Sequence, residues 1–380
     1  MSDKGARKFI VGALPTIAAL VILLIGFGLG RYYTARPLRK QIVAFSQGET
    51  LGQLLSRKEL SNLAPAYENS AAADSARYVY SIPNVPTPFV GSGPKPGWSG
   101  NLFINSMQFR SRKEVAMPKP PGVYRIFLTG GSTIFGAGAP NDESTIGSYL
   151  ERRLNENAAS GNAACEVFTL ADPGWASTHE RIVIENRLSE LSPDIVISFS
   201  GLNDVHWAGG GRNVLWFRNF VDQHYWDLLN ASRGAAGFSP LADVVAQPAA
   251  VSPQQIAERL EKNVRLSAGA LALKNSRYVF VLQPMIATTS KALSPREKEI
   301  RTRFPPAATA NFIDGYKQIR ARLSSIHQAG FEFVDQSGVF DGLVAQDEIF
   351  LDSYHFGDRG NKLIADAIAT MIRPASLNRR

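Results

Sequence analysis

Gly130-Gly131-Ser132-Thr133 places a hydroxyl directly after two residues without side chains, and Asp352-Ser-Tyr-His355 places a carboxylate three residues before an imidazole. A serine hydroxyl is a poor nucleophile until a base takes its proton. Imidazole titrates near neutral pH and suits that task. A carboxylate three residues earlier in a turn can accept the other ring N–H and so fix tautomer and orientation. These residue types describe nucleophilic acyl transfer, with Ser132 attacking, His355 as base and Asp352 orienting the base. Taken one at a time, they also have plainer readings. The glycines and serine can be a strand-to-helix turn or a phosphate cradle, although a Walker loop needs a lysine that is missing here. Asp352 and His355 can simply cap a helix.

The elements that must position these groups are legible. Val123–Leu128 is an apolar run of the kind found in a strand buried on both faces. Gly130 and Gly131 let the backbone turn after it, which leaves Ser132 at the carboxyl end of the strand, where open α/β sheets hold their ligands. Asn141–Ser144 offers several caps for a helix carrying Ile146, Tyr149, Leu150 and Leu154 at helical spacing. Further strand-like runs lie at Glu166–Leu170, Asp194–Phe199, Tyr278–Leu282 and Phe331–Val334. Helical patterns alternate with them: Ile182 to Leu191, Ile256 to Leu271, Phe312 to Ile326, and Leu363 to Met371. Such alternation implies an α/β fold, a flavodoxin-like doubly wound five-stranded parallel sheet with right-handed crossovers.

In that fold four separated pieces share one rim: Gly130–Gly136, Asp172-Pro-Gly174-Trp175, Ser200-Gly-Leu-Asn203-Asp204 and Asp352–His355. Here the chain resembles the SGNH (GDSL-like) hydrolase superfamily, whose four blocks contribute a serine, a glycine, an asparagine and a histidine. Ser132, Gly174, Asn203 and His355 match in order and spacing, over about residues 123–372. The resemblance implies an SGNH hydrolase fold and an oxyanion hole made by the Ser132 and Gly174 N–H groups and the Asn203 amide; preorganised donors of this kind stabilise the charge that attack on an ester creates. The departure is Gly131, where the namesake Gly-Asp-Ser-Leu has aspartate. In the serine block the chain is also similar to membrane-tethered members linked to envelope polysaccharides.

With 380 residues, 44% hydrophobic and 19% charged, the chain suits a large globular domain with extensions. The net charge is +8. Much of it flanks an uncharged span, Phe9–Leu29, at Lys4, Arg7, Lys8, Arg31, Arg36, Arg39 and Lys40. No basic run interleaved with aromatics argues for nucleic acid. The span is long enough to cross a bilayer, and Gly28–Arg31 makes a poor signal-peptidase site, which favours a retained anchor. Basic residues on both sides leave its orientation open. The expected organisation is a tail over 1–8, a transmembrane helix over 9–30, a juxtamembrane helix with a Pro/Gly-rich irregular arm over 31–121, and the hydrolase-like domain over 122–374. Residues 205–253 interrupt the domain with an aromatic-rich insertion, which is either a lid or pocket wall or a hairpin packed on the core.

His206 and Trp207, just after the asparagine block, are candidate substrate-binding residues. His179, His224 and His327 have structural readings, Asp204 is read as holding its loop, and Cys165 as a small buried hydrophobe. No metal-ligand cluster is evident and no cofactor is implied. The chain is therefore expected to be a single-pass protein of the cytoplasmic (inner) membrane with its soluble domain on the periplasmic or extracytoplasmic side. It would cleave or transfer O-acyl (acetyl) groups of an acylated glycan or small ester. The rival reading is a non-catalytic SGNH-fold binding or assembly subunit of a membrane complex.

Overall fold

The computed structural model describes residues 3–47, 64–68, 83–156, 164–209, 220–242 and 251–372, without the side chains of residues 3–15, 41–47 and 220–224. The chain divides into two units. One holds helix α1 (Asp3–Gln47) together with most of a second helix, Phe220–Ala235. α1 is a single helix of 45 residues, and within it Thr16–Lys40 is long and apolar enough to cross a membrane. Helix thus begins within the stretch expected to be a tail, and it continues past the span as the juxtamembrane helix. Residues 48–63, the rest of that expected helix, lie outside the described residues.

The other unit is built on a parallel sheet of five strands: Val123–Gly130, Ala164–Ala171, Ile195–Ser200, Arg277–Leu282 and Phe331–Asp335. Two small antiparallel hairpins precede it: β1 (Asn84–Thr87) with β2 (Gly91–Pro94), and β3 (Gly97–Ser99) with β4 (Leu102–Ile104). The sheet strands are therefore β5 to β9, and their spatial order is β6-β5-β7-β8-β9. This is the doubly wound order whose switch point lies beside the first strand, and each boundary falls within two residues of the run read from sequence.

Period-2 alternation sorts the strand side chains onto two faces. Ile126, Leu128, Ile195, Ile197, Val279 and Val281 meet the helices Ile146–Asn155 (α3) and Asp358–Ile372 (α10). Phe127, Val196, Tyr278 and Phe280 meet Ser177–Asn186 (α4), Pro253–Ala272 (α7) and Pro306–Leu323 (α9). All ten strand side chains are buried, and each large apolar one contributes about 1.5–3 kcal/mol. A one-turn helix, α2 (Ser132–Phe135), follows β5; α5 (Leu202–Gly209) follows β7; α6 is the helix Phe220–Ala235; α8 (Pro295–Thr302) precedes α9.

Three local readings change. The cap of α3 is Thr145, whose Oγ1 accepts from Ser148 N at 3.2 Å, while Asp142–Ser144 forms a 3-10 turn. The Pro/Gly-rich arm, read as irregular, contains the two hairpins and joins the core. Arg110 N donates to Thr169 O on β6, and the buried Arg125 of β5 donates to Ala116 O at 2.9 Å and to Leu191 O at 2.7 Å. The insertion begins with α5, which packs on the core. Trp216 and Phe217 lie outside the described residues. Cys165 sits buried in β6, where burial pushes its thiol up to about 11.

Candidate active site

β5 ends at Gly130, and α2 begins at once with Ser132. Gly131 has no room for a side chain, since a Cβ there would lie 2.3 Å from Asn203 Nδ2 and 3.1 Å from Trp175 O. In this chain the asparagine amide occupies that space. Ser132 occupies the first position of α2, where the backbone N–H has no partner within its own helix.

His355 reaches the same hydroxyl from the other end of the chain, with Nε2 2.8 Å from Ser132 Oγ. Its Nδ1 is 2.7 Å from Asp352 Oδ2. The Asp352 carboxylate also accepts from the backbone N–H groups of Tyr354 and His355, at 2.8 and 2.9 Å on Oδ1. Burial alone would raise its pKa, but the adjacent His355 ring and these three hydrogen bonds outweigh it and hold the group below its ordinary value. An ionised carboxylate only accepts, so Nδ1 carries the ring proton and Nε2 presents its lone pair to the serine hydroxyl.

The donors proposed for an oxyanion cluster on the same rim. Gly174 adopts φ +88°, a backbone that favours glycine. Asn203 Nδ2 donates to Trp175 O at 2.7 Å. That bond uses one of the two amide hydrogens and fixes the amide plane. Trp207, expected to touch substrate, donates from Nε1 to Gly174 O at 3.0 Å and so holds the glycine turn. His206 meets Tyr354, with Nδ1 3.2 Å from the phenol oxygen. Both line a groove of about 450 Å³ together with Val205, Phe304, Ala308 and Phe312.

Behind the rim lies a buried polar network. Asp204 accepts from Ser177 N at 3.1 Å and from Ser177 Oγ at 2.5 Å, tying the start of α5 to the start of α4. Asn263 donates to the same hydroxyl at 2.8 Å. Glu180 accepts from Ser200, and burial pushes its carboxyl up to about 8. Burial likewise drives His179 down to about 4, so its ring is neutral.

Sequence reading missed the groups that carry the His355 loop. Glu297, fully buried, accepts from Lys291 Nζ at 2.7 Å, from Ile349 N at 2.9 Å and from Phe350 N at 3.2 Å. Arg296 donates to Phe350 O at 2.5 Å. Ser294-Pro-Arg-Glu297 is a capping box at the start of α8 and was the available signal. Phe340, Phe350 and Phe356 pack edge to face with centroids 5.1–5.7 Å apart and brace the loop from below.

The doubly wound order of the sheet is what the alternation of strands and helices implied, and the structure brings Ser132, His355 and Asp352 together, with Asn203 beside Gly131 and Trp175. The fold is a doubly wound α/β sheet of five parallel strands. No protein-family model matches the chain, and a search of curated proteins finds no match. Among solved structures the chain is similar to LAE5, an alpha/beta hydrolase enzyme from the metagenome of Lake Arreo, Spain (16% identity, 67% of this chain and 97% of that one, TM-score 0.40). It is also similar to the acetyl xylan esterase AlAXEase (15% identity, 66% and 100%, TM-score 0.41) and to Axe2, an acetylxylan esterase from Geobacillus stearothermophilus (13% identity, 68% and 97%, TM-score 0.40).

Proposed function

We propose that the chain is a membrane-anchored serine esterase that cleaves or transfers O-acyl groups through an acyl-enzyme on Ser132. The observation that carries this reading is the continuous hydrogen-bonded line from Ser132 Oγ through His355 to Asp352, at 2.8 and 2.7 Å. In the first half-reaction Ser132 Oγ bonds to the ester carbonyl carbon while its proton passes to His355 Nε2. The negative oxygen is stabilised by the Ser132 and Gly174 N–H groups and the Asn203 amide. The tetrahedral species then collapses: the C–O bond to the alcohol breaks, and His355 returns the proton to the departing oxygen. In the second half an acceptor hydroxyl gives its proton to His355 and attacks the acyl carbon; the bond from that carbon to Ser132 Oγ then breaks, and His355 returns the proton to Oγ. Water as acceptor makes an esterase, and a sugar hydroxyl makes an acyltransferase.

The glycan substrate and the acetyl identity of the acyl group follow from the resemblance to tethered envelope members. The α1 helix, with Thr16–Lys40 able to span a bilayer, supports a single-pass anchor. The soluble part is assigned to the extracytoplasmic side, where such glycans are. Incubating the full chain in detergent with p-nitrophenyl acetate tests the reaction. An acetyl adduct on the Ser132 peptide, absent from Ser132→Ala, is expected; nitrophenol release that is unchanged in Ser132→Ala refutes the assignment.

A further inference from the structure

The nucleophile turn is held from behind by a residue of the Pro/Gly-rich arm. α2 is a single turn of four residues. Its carbonyls at Ser132 and Thr133 accept from Gly136 N, both at 3.1 Å, and Gly136 O, just past the turn, accepts from Ala139 N at 3.0 Å, whereas Phe135 O lies at the end of the turn, where a helix has no N–H to offer. Arg110 supplies it: Nη1 donates to Phe135 O and to Gly136 O, both at 3.0 Å. The guanidinium also lies over the Phe135 ring, 5.2 Å from its centroid. The Arg110 side chain is 1% exposed. Its Nε donates to Asp142 Oδ1 at 3.0 Å, and the other Asp142 oxygen accepts from Phe103 N on β4 at 3.0 Å.

We propose that Arg110 is a positioning residue for the reaction, a clamp that fixes the C-terminal end of the Ser132 turn and thereby the place of Oγ relative to His355. The inference rests on the reading of Ser132 as nucleophile. Both ends of the turn are then pinned. At the front, Gly131 lies against the Asn203 amide; at the back, Nη1 alone donates to two carbonyls while Nε of the same plane holds Asp142. Lysine cannot keep both ends, because an ammonium is one point donor on a flexible stem and the guanidinium holds Asp142 and the carbonyls through two separate nitrogens. A buried arginine beside a buried aspartate 32 residues away in sequence can also serve stability alone, so the test separates the two roles.

Full-length Arg110→Lys, which keeps a cation next to Asp142, and Asp142→Asn, which keeps the guanidinium and loosens its Nε contact, are compared with wild type in detergent. Folded fraction is read by near-UV circular dichroism, p-nitrophenyl acetate turnover gives kcat and KM, and a fluorophosphonate probe gives the rate of Ser132 labelling. A misplacement of about 1 Å can cost on the order of 100-fold. Arg110→Lys is therefore expected to lose roughly 10- to 100-fold in kcat and in labelling rate per folded molecule, with KM nearly unchanged. Asp142→Asn should lose less, in the same pattern. Wild-type kcat and labelling rate in either folded variant, or a loss of thermal stability with kcat per folded molecule intact, overturns the clamp. A wild-type chain that is never labelled at Ser132 overturns the nucleophile assignment and the clamp with it, and the wild-type control alone reveals that case.

Discussion

Gly131 and Asn203 are in contact across the candidate oxyanion hole: a methyl group added to Gly131 would sit 2.3 Å from the Asn203 amide nitrogen. The amide cannot stay where it is if residue 131 carries any side chain. Gly131→Ala, and more so Gly131→Asp, should push Asn203 off Trp175 O and remove one oxyanion donor. Loss of one such donor lowers kcat by about 100- to 1,000-fold. With p-nitrophenyl acetate, Gly131→Ala is expected to approach the loss seen in Asn203→Ala, and the double variant should lose little more than either single one. Full additivity of the two losses would show that they act separately.

Trp207 tests a second link in the same site. Its indole N–H holds Gly174 O, so Trp207→Phe keeps an aromatic ring at the position and removes the donor together with the five-membered ring that carries it. The expected effect is a fall in kcat of about 10-fold, the scale of one neutral hydrogen bond of about 1.4 kcal/mol, with KM little changed. A rise in KM at constant kcat would instead assign Trp207 to substrate contact.

The buried network makes stability depend on pH in a stated direction. Glu180 has a folded pKa of about 8 against an ordinary value of 4.5. A raised pKa means that the folded state holds the proton more tightly, so this contribution is complete below pH 4.5 and is lost as pH rises through 8. Asp204, also raised by burial, acts in the same sense. His179, lowered from 6.5 to about 4, acts oppositely and only between those values. Glu180→Gln keeps a neutral partner for Ser200. Its thermal midpoint should fall less than that of wild type between pH 5 and pH 9; parallel curves would contradict the assignment.

The sheet was readable because four of its five strands, all but the edge strand β9, are largely buried on both faces. Runs such as Ile126–Leu128 and Ile195–Ile197 have nothing polar to blur them. The candidate triad was readable for another reason: Ser132 and the Asp352–His355 pair are short motifs whose neighbours, glycine and a turn, leave their own marks. The supporting groups were not. Arg110, Lys291 and Glu297 look like surface residues in sequence, because a buried ion pair has no periodicity and its partner lies far along the chain or in a loop. The arm misled for a related reason. Proline and glycine mark the absence of long elements, yet two hairpins with strands of three or four residues and a buried arginine fit between them. Trp207 was legible as an aromatic near the site, but the direction of its N–H was not.

The central claim is that one hydroxyl, at residue 132, is made nucleophilic by the imidazole at 355. Mass spectrometry of the full chain after treatment with a fluorophosphonate tests it most directly. A single adduct on the peptide containing Ser132, absent from Ser132→Ala and formed at least about 100-fold more slowly in His355→Ala, is predicted. A folded chain that takes no adduct, or one labelled equally fast without the histidine, would contradict it.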